Sequence, residues 1–391
     1  MLRFRLPGIV AASILLAALA PAAFAAPVNR LVNPGFETPL GDHPWMPAGW
    51  DTSRAGVATA FFGRDTLIAH SGKWAASVAN LSSMFPLSHN WSQRVIVGPK
   101  EWGKDLVLTV WTRTTSLEGR AYVLLQGYRD TLSYQAAQWG VDRDTARVRM
   151  MIKNLDDPLV SLGWDRKSFD EAETPWVKRE VRIYCAPLMN AVFVRVGLQG
   201  TGQIYLDDAT LTVETARPPK EPPVGVNLLA DPGFEQELLP WELSVPPFEG
   251  MYVRRDSTES HTGRWSLVAG SGPGQWIKTR TGVCQPLQNR ALSGKRVRLS
   301  AWVKTDSLGS LAYAMVFAHT PRGIHSIAQP EQFGKTTPWT KTSVEMDLPA
   351  NTYLVWAWFS HDAPRPGIVH WDDCSLEVIG KAQTPGPPPI R

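Results

Sequence analysis

The chain writes one signature twice: Asn33-Pro34-Gly35-Phe36-Glu37 returns as Asp231-Pro232-Gly233-Phe234-Glu235. Each copy also closes on paired aspartates, Tyr205-Leu206-Asp207-Asp208-Ala209 in the first and His370-Trp371-Asp372-Asp373-Cys374 in the second. Three further echoes keep their order between these brackets: His70-Ser71-Gly72-Lys73-Trp74 with His261-Thr262-Gly263-Arg264-Trp265, Trp111-Thr112-Arg113-Thr114 with Trp302-Val303-Lys304-Thr305, and Thr174-Pro175-Trp176 with Thr337-Pro338-Trp339. An ordered set of matches is a repeat, so whatever fold the chain adopts, it adopts twice. The His and Trp echoes lie 191 residues apart (261 − 70, 302 − 111) but the Pro-Trp echoes only 163 (339 − 176), which gives the first copy an insertion of 28 residues (191 − 163).

Residues 1–25 read as a signal peptide. Arg3 and Arg5 precede an apolar run from Ile9 to Ala20, and Ala23-Phe24-Ala25 supplies a small-x-small cleavage pattern. The first module then spans 26–215, with its insertion near 130–173; a proline-rich linker covers 216–226, the second module 227–380 and a proline-rich tail 381–391. The prolines between Glu214 and Pro223 suit a semi-rigid spacer. No later apolar run approaches the roughly 20 residues of a membrane span, so the expected product is secreted, periplasmic or on the cell surface. The net charge of +4 is spread without a Lys/Arg cluster, which argues against nucleic acid or a membrane surface as partner. For Cys185, Cys284 and Cys374, a Cys284–Cys374 bridge and three small buried hydrophobes both stay open.

Short segments rich in β-branched and aromatic residues recur between turn residues, and Val192, Val194, Val196 and Leu198 alternate with a period of two. With little helix-period sequence beyond a short helix near Asp144 to Met151, the fold class is all-β: two tandem antiparallel β-sandwiches. Strand alternation then assigns faces. In the second copy Ala301, Val303, Ala312, Ala314, Val316 and Ala318 point inward, leaving Trp302, Lys304, Tyr313, Met315, Phe317 and His319 outside. Leu354, Trp356 and Trp358 are expected inward, with Tyr353, Val355, Phe359 and His361 outward. In the first copy Trp111, Arg113, Tyr122, Gln126, Tyr128, Arg195 and Gln199 are expected to share the corresponding face. Rings beside planar amides and guanidinium groups suit a pyranose, whose CH face stacks while its hydroxyls take and give hydrogen bonds. An aromatic face can equally pack against another domain, and the apolar second face invites that reading most.

The segments Leu228 to Glu235, His261 to Leu267, Arg298 to Lys304, Thr337-Pro338-Trp339 and Trp371-Asp372-Asp373 resemble the CenC-type carbohydrate-binding modules of bacterial cellulases and xylanases. The resemblance implies a galactose-binding-like jelly roll in each copy, a concave sheet that receives a polysaccharide, and one structural calcium ion per module. Carried over residue by residue, the calcium ligands would be Glu37 with Asp207 or Asp208, and Glu235 with Asp372 or Asp373, completed by backbone carbonyls. Carboxylates suit a hard cation that takes six to eight oxygens; the plainer alternative is that they bond turn amides.

The expected function is thus an exported, non-catalytic protein that binds a polysaccharide or cell-wall glycan. Recognition falls to Trp111, Arg113, Tyr122, Gln126, Tyr128, Arg195 and Gln199 in the first module and to Trp302, Tyr313, Phe317, His319 and His361 in the second. Two sites on one short linker would gain from effective concentration. A second reading makes the protein a lyase or hydrolase in which His319 and His361, on neighbouring strands near Tyr313, act as base and acid. The expected faces carry no carboxylate pair of the kind glycoside hydrolysis uses, and no nucleophile elbow or phosphate loop occurs. A third reading is adhesion or protein interaction.

Overall fold

The computed structural model describes residues 28–53, 60–82, 88–152, 159–236, 238–243, 251–271, 280–328, 333–362 and 366–383. The expected signal peptide and the tail beyond Gln383 lie outside them. Within them the protein is all-β, two tandem antiparallel jelly-roll sandwiches, with one helical hairpin.

The first module runs β1 (Pro39–Leu40), β2 (His43–Pro47), β3 (Asp51–Ser53), β4 (Ala60–Asp65), β5 (Ala75–Asn80), β6 (Ser88–Ile96) and β7 (Lys104–Asp130). Helices α1 (Leu132–Trp139) and α2 (Arg143–Ile152) follow, then β8 (Leu159–Phe169), β9 (Val177–Tyr184) and β10 (Ala191–Thr215). Along β7 the residues in the core change parity, from Leu106, Leu108 and Val110 to Ala121, Val123 and Leu125. A straight strand cannot do this, because successive side chains alternate. The change falls between Ser116 (φ 50°) and Gly119 (φ 110°), where β7 folds from one sheet into the other; β10 follows at Gly200 and Gly202. A front sheet therefore orders β3-β6-β10-β7-β8 and a back sheet β4-β5-β10-β7-β9, each long strand giving one half to each sheet. Trp50 and Trp91 are fully buried between them, and their indole nitrogens donate to Asn33 O and Ser77 O.

The second module repeats the plan: β11 (Glu242–Leu243), β12 (Met251–Asp256), β13 (Ser266–Ser271), β14 (Arg280–Leu287), β15 (Lys295–Thr320), β16 (Gly323–Ala328), β17 (Phe333–Asp347), β18 (Leu354–Asp362) and β19 (Gly367–Lys381). Inward residues on β15 switch from Val297, Leu299, Ala301 and Val303 to Ala312, Ala314, Val316 and Ala318. Its front sheet is β11-β14-β18-β15-β16, its back sheet β12-β13-β19-β15-β17. All three cysteines are free and buried, so the bridge considered above is not formed. Cys185 and Cys374 sit in the two cores, and Cys284 lies against Glu242 O.

The extra residues of the first copy are localised by this comparison. Residues 131–158 join β7 to β8, whereas Pro321 and Arg322 alone join β15 to β16. Both helices lie there, packed on a small core of Leu132, Ala136, Ala146 and Met150. The short helix expected near Asp144 is α2; α1 was not signalled by periodicity, and β8 belongs to the sheet rather than to the insertion.

Candidate functional site

The duplicated motifs converge at one end of each sandwich. Glu37 Oε1 accepts from the amides of Lys73 (2.8 Å) and Trp74 (3.0 Å), and Asp207 Oδ2 from those of His70 (2.9 Å) and Ser71 (3.1 Å). Gly72 allows this approach: its φ is +63°, and a Cβ there would stand 2.2 Å from Glu37 Oε1. The second module reproduces the lacing with Glu235 on Arg264 and Trp265, and Asp372 on His261 and Thr262. Arg64 ties the signature down, giving its guanidinium to Phe36 O and Glu37 O while lying 4.0 Å over Trp74; Arg255 does the same over Trp265 at 4.2 Å.

Glu37 and Asp207 remain chemically apt for a hard cation. They meet around Gly35, where a Cβ would lie 3.8 Å from Asp207 Oδ1 and 3.9 Å from Glu37 Cγ. Burial pushes the Asp207 and Asp372 carboxyls up to about 6, the response of a carboxylate that lacks a counter-charge. Asp208 stands beside Glu37 and Asp207, its Oδ1 3.9 Å from the same Cβ position at Gly35 and accepting from Ser71 Oγ, while its Oδ2 lies 2.6 Å from His70 Nδ1. Asp373 is held likewise by His261 and Thr262. Among the described residues no three metal-ligating side chains gather, so any ion would draw most of its oxygens from the backbone.

Trp111 and Arg113 do not share a face with Tyr122. The fold-over of β7 puts them on the outside of the back sheet, where Trp111 stacks on His70 with ring centroids 3.9 Å apart and Trp176 closes the edge of the imidazole. Trp302 is corrected in the same way: it stacks on His261 at 3.8 Å, beside Trp339. These tryptophans fix the histidines that hold Asp208 and Asp373.

The front sheet of the first module does gather Tyr122, Gln126, Tyr128, Arg195 and Gln199, joined by Phe193. Arg195 Nη1 donates to Gln126 Oε1, and Tyr128 sets its ring edge-on to Phe193 at 5.7 Å. Burial raises the Tyr128 hydroxyl's pKa. Tyr122 is covered: the Arg166 guanidinium lies 4.2 Å above its ring, and its hydroxyl bonds Ser88 Oγ at 2.5 Å.

The second module's front sheet is differently phased from the expectation. Val355, Ala357 and Phe359 enter the core, so Trp356 and Trp358 join Tyr313, Met315 and Phe317 outside. His361 is paired with Ala312, a core position, and is fully buried, whereas His319 is paired with Leu354. Their rungs lie seven residues apart on β15, roughly 23 Å at about 3.3 Å per residue, so the expected acid–base pair does not assemble. His319 instead donates from Nδ1 to Ser161 O of the first module (2.9 Å), and Trp356 meets Trp164 edge-on at 5.1 Å. Arg166, on the same strand β8, pairs with Glu242, their side chains only 10% and 11% exposed. Arg120 adds bonds to Trp241 O and Leu238 O, and Gln288 accepts from Trp164 N. The edge strand of one module is thus docked on the front sheet of the other. Clefts of about 430 and 410 Å³ open along this seam and share Asp165, Arg182 and Gln288.

Phe193 and Arg166 were not singled out by sequence, and Trp356 and Trp358 were expected inward. The signal available was strand spacing: the offset of 163 carries Phe193 and Arg195 onto Trp356 and Trp358.

No family profile matches the chain, and no curated protein does. Among solved structures, the N-terminal CBM22-1–CBM22-2 tandem domain of Paenibacillus barcinonensis Xyn10C is 14% identical over 92% of this chain and 99% of its own, with a TM-score of 0.31. A Family 16 Carbohydrate Binding Module-2 is 18% identical over 38% of this chain and 99% of its own (TM-score 0.30). TmCBM61, solved in complex with β-1,4-galactotriose, is 17% identical over 39% and 99% (TM-score 0.30). The fold assignment rests on the strand ladders above and not on these superpositions.

Proposed function

We propose that the protein is an exported, non-catalytic binder of polysaccharide that receives its ligand on the front sheet of the first module. The observation that carries this reading is the row of Phe193, Tyr128, Gln126, Arg195 and Gln199 on one sheet face, rings interleaved with planar polar groups. A glycan chain needs that alternation, since its sugars present apolar faces and hydroxyls in turn. The second module serves as a rigid neighbour, its front sheet engaged by β8. Binding is then monovalent, and the avidity expected of two free sites does not arise. Affinity electrophoresis of the full chain against a polysaccharide panel tests this: retardation without release of sugar ends is expected, and Tyr128→Ala should weaken it about tenfold, one lost ring contact of ~1–1.5 kcal/mol. Retardation of wild type and Tyr128→Ala to the same extent by every polymer that binds would contradict it.

A structural cation belongs to the same proposal. Glu37 with Asp207, and Glu235 with Asp372, would hold a calcium ion that neutralises one buried and one exposed carboxylate per module and locks the signature to the closing strand. Calcium at 100 times its Kd should add about 3 kcal/mol of stability, read as a melting temperature that EDTA lowers. An EDTA-insensitive melting curve would rule the ion out.

A further inference from the structure

Arg195 occupies the middle of the first module's front sheet, on β10 between β6 and β7. Its Nη1 is given to a neutral amide, Gln126; its guanidinium carbon lies 5.3 Å from the Phe193 ring; its Nε is buried without an acceptor. Among the described residues no carboxylate lies within 4.0 Å of it. Its neighbours on the face each have a charge or carbonyl partner: Arg94 has Asp130 at 3.1 Å, Arg166 gives its Nη1 to Glu242 while its Nε and Nη2 stay without acceptors, and Arg120 has two carbonyls. Asp51 faces the same way but stands two strands off, beyond Ser92, about 10 Å at the usual strand spacing.

The second module supplies an internal control. In the first, Phe193 pairs with Gln126 and Arg195 with Leu124; in the second, Trp356 pairs with Phe317 and Trp358 with Met315. Trp358 therefore stands where Arg195 does, and Phe317 where Gln126 does. The diagonal contact is kept, as two rings 5.4 Å apart. The scaffold accepts an apolar pair at these rungs, so it is not the fold that requires a cation there. Arg195 is half-buried, and its Nε, shut from water with no acceptor, is costly to leave so; a ligand that completes the guanidinium offsets that cost.

We propose that the ligand supplies the missing charge: the first module's front sheet selects an acidic polysaccharide, one carrying uronate carboxylates, and Arg195 receives a carboxylate on its planar fork. The inference rests on the glycan-binding reading of this face and adds the charge of the ligand. Gln126 and Tyr128 hold the guanidinium in place, and a fork matches a carboxylate through two parallel N–H···O bonds. One such contact needs one positioned cation and no basic patch, which is why the even spread of charge along the chain does not announce it.

The test is affinity electrophoresis of the full chain through polygalacturonate, alginate and glucuronoxylan, each beside its carboxyl-reduced form. At least one acidic polymer should bind tenfold or more tightly than its reduced form. Arg195→Trp, which copies the second module, should abolish that preference with an unchanged melting curve, and Arg195→Lys, which keeps the charge without the fork, should retain a weaker one. Equal binding of acidic and reduced forms, or a preference that survives in a folded Arg195→Trp, overturns the inference while leaving glycan binding intact. Binding to none of the polymers, acidic or reduced, overturns the glycan reading together with it.

Discussion

Arg195 and Gln126 in the first module and Trp358 and Phe317 in the second stand on the same rungs of the same sheet, yet one pair is a cation with an amide and the other two rings. Elsewhere the modules agree down to single hydrogen bonds. Gln93 bonds both backbone groups of Val32, as Gln285 does those of Ala230. Asn29 caps Leu31 and Leu211, as Asn227 caps Leu229 and Leu376. What is duplicated is scaffold, since the same buried groups need the same partners in each copy. What is not duplicated is where the modules part in role: one front sheet keeps polar groups among its rings, the other is aromatic and takes up β8.

The docking half of this contrast predicts the largest effects. Arg166→Ala leaves Glu242 buried and unpaired, and should cost about 3–5 kcal/mol in urea unfolding; its counterpart on the ladder, Ala328, has no such charge to lose. Next, Trp356→Ala should cost about 3 kcal/mol by removing a ring packed on Trp164, whereas Phe193→Ala on the matching rung should cost about 1 kcal/mol and show its loss in binding. Equal costs at both rungs would erase the distinction between a docking face and a free one. Gln93→Ala and Gln285→Ala should each cost about 1–2 kcal/mol, and by similar amounts; a large inequality would break the claim of a shared scaffold. The smallest effect is expected where the copies differ most in length. Replacing residues 131–158 with a two-residue turn like Pro321-Arg322 should change stability by about 0.5 kcal/mol or less, because the hairpin packs on a small core of its own. A deletion that unfolds the first module would show that the hairpin is structural.

The repeat made the scaffold legible before any coordinates: the signature, the H-[S/T]-G-[K/R]-W loop and the paired aspartates meet in space because the turn amides of one satisfy the carboxylates of the others. Two things were not legible. The parity change in β7 and β15 occurs inside long strands without proline, so period-two reading carried Trp111, Arg113 and Trp302 onto the wrong sheet. On β18, Leu354-Trp356-Trp358 and Val355-Ala357-Phe359 are both apolar, and a strand apolar on both faces gives alternation no phase; only the partner strands decide it. The same ambiguity brought His361 beside His319 on paper, while the ladder places them far apart.

Hydrogen–deuterium exchange of the full chain, with and without an acidic oligosaccharide, tests most directly whether one front sheet binds and the other only docks. New protection is expected in 88–96, 120–128 and 191–199, with 313–319 and 354–362 unchanged. Protection confined to 313–319 and 354–362 would place the ligand on the second module and contradict it.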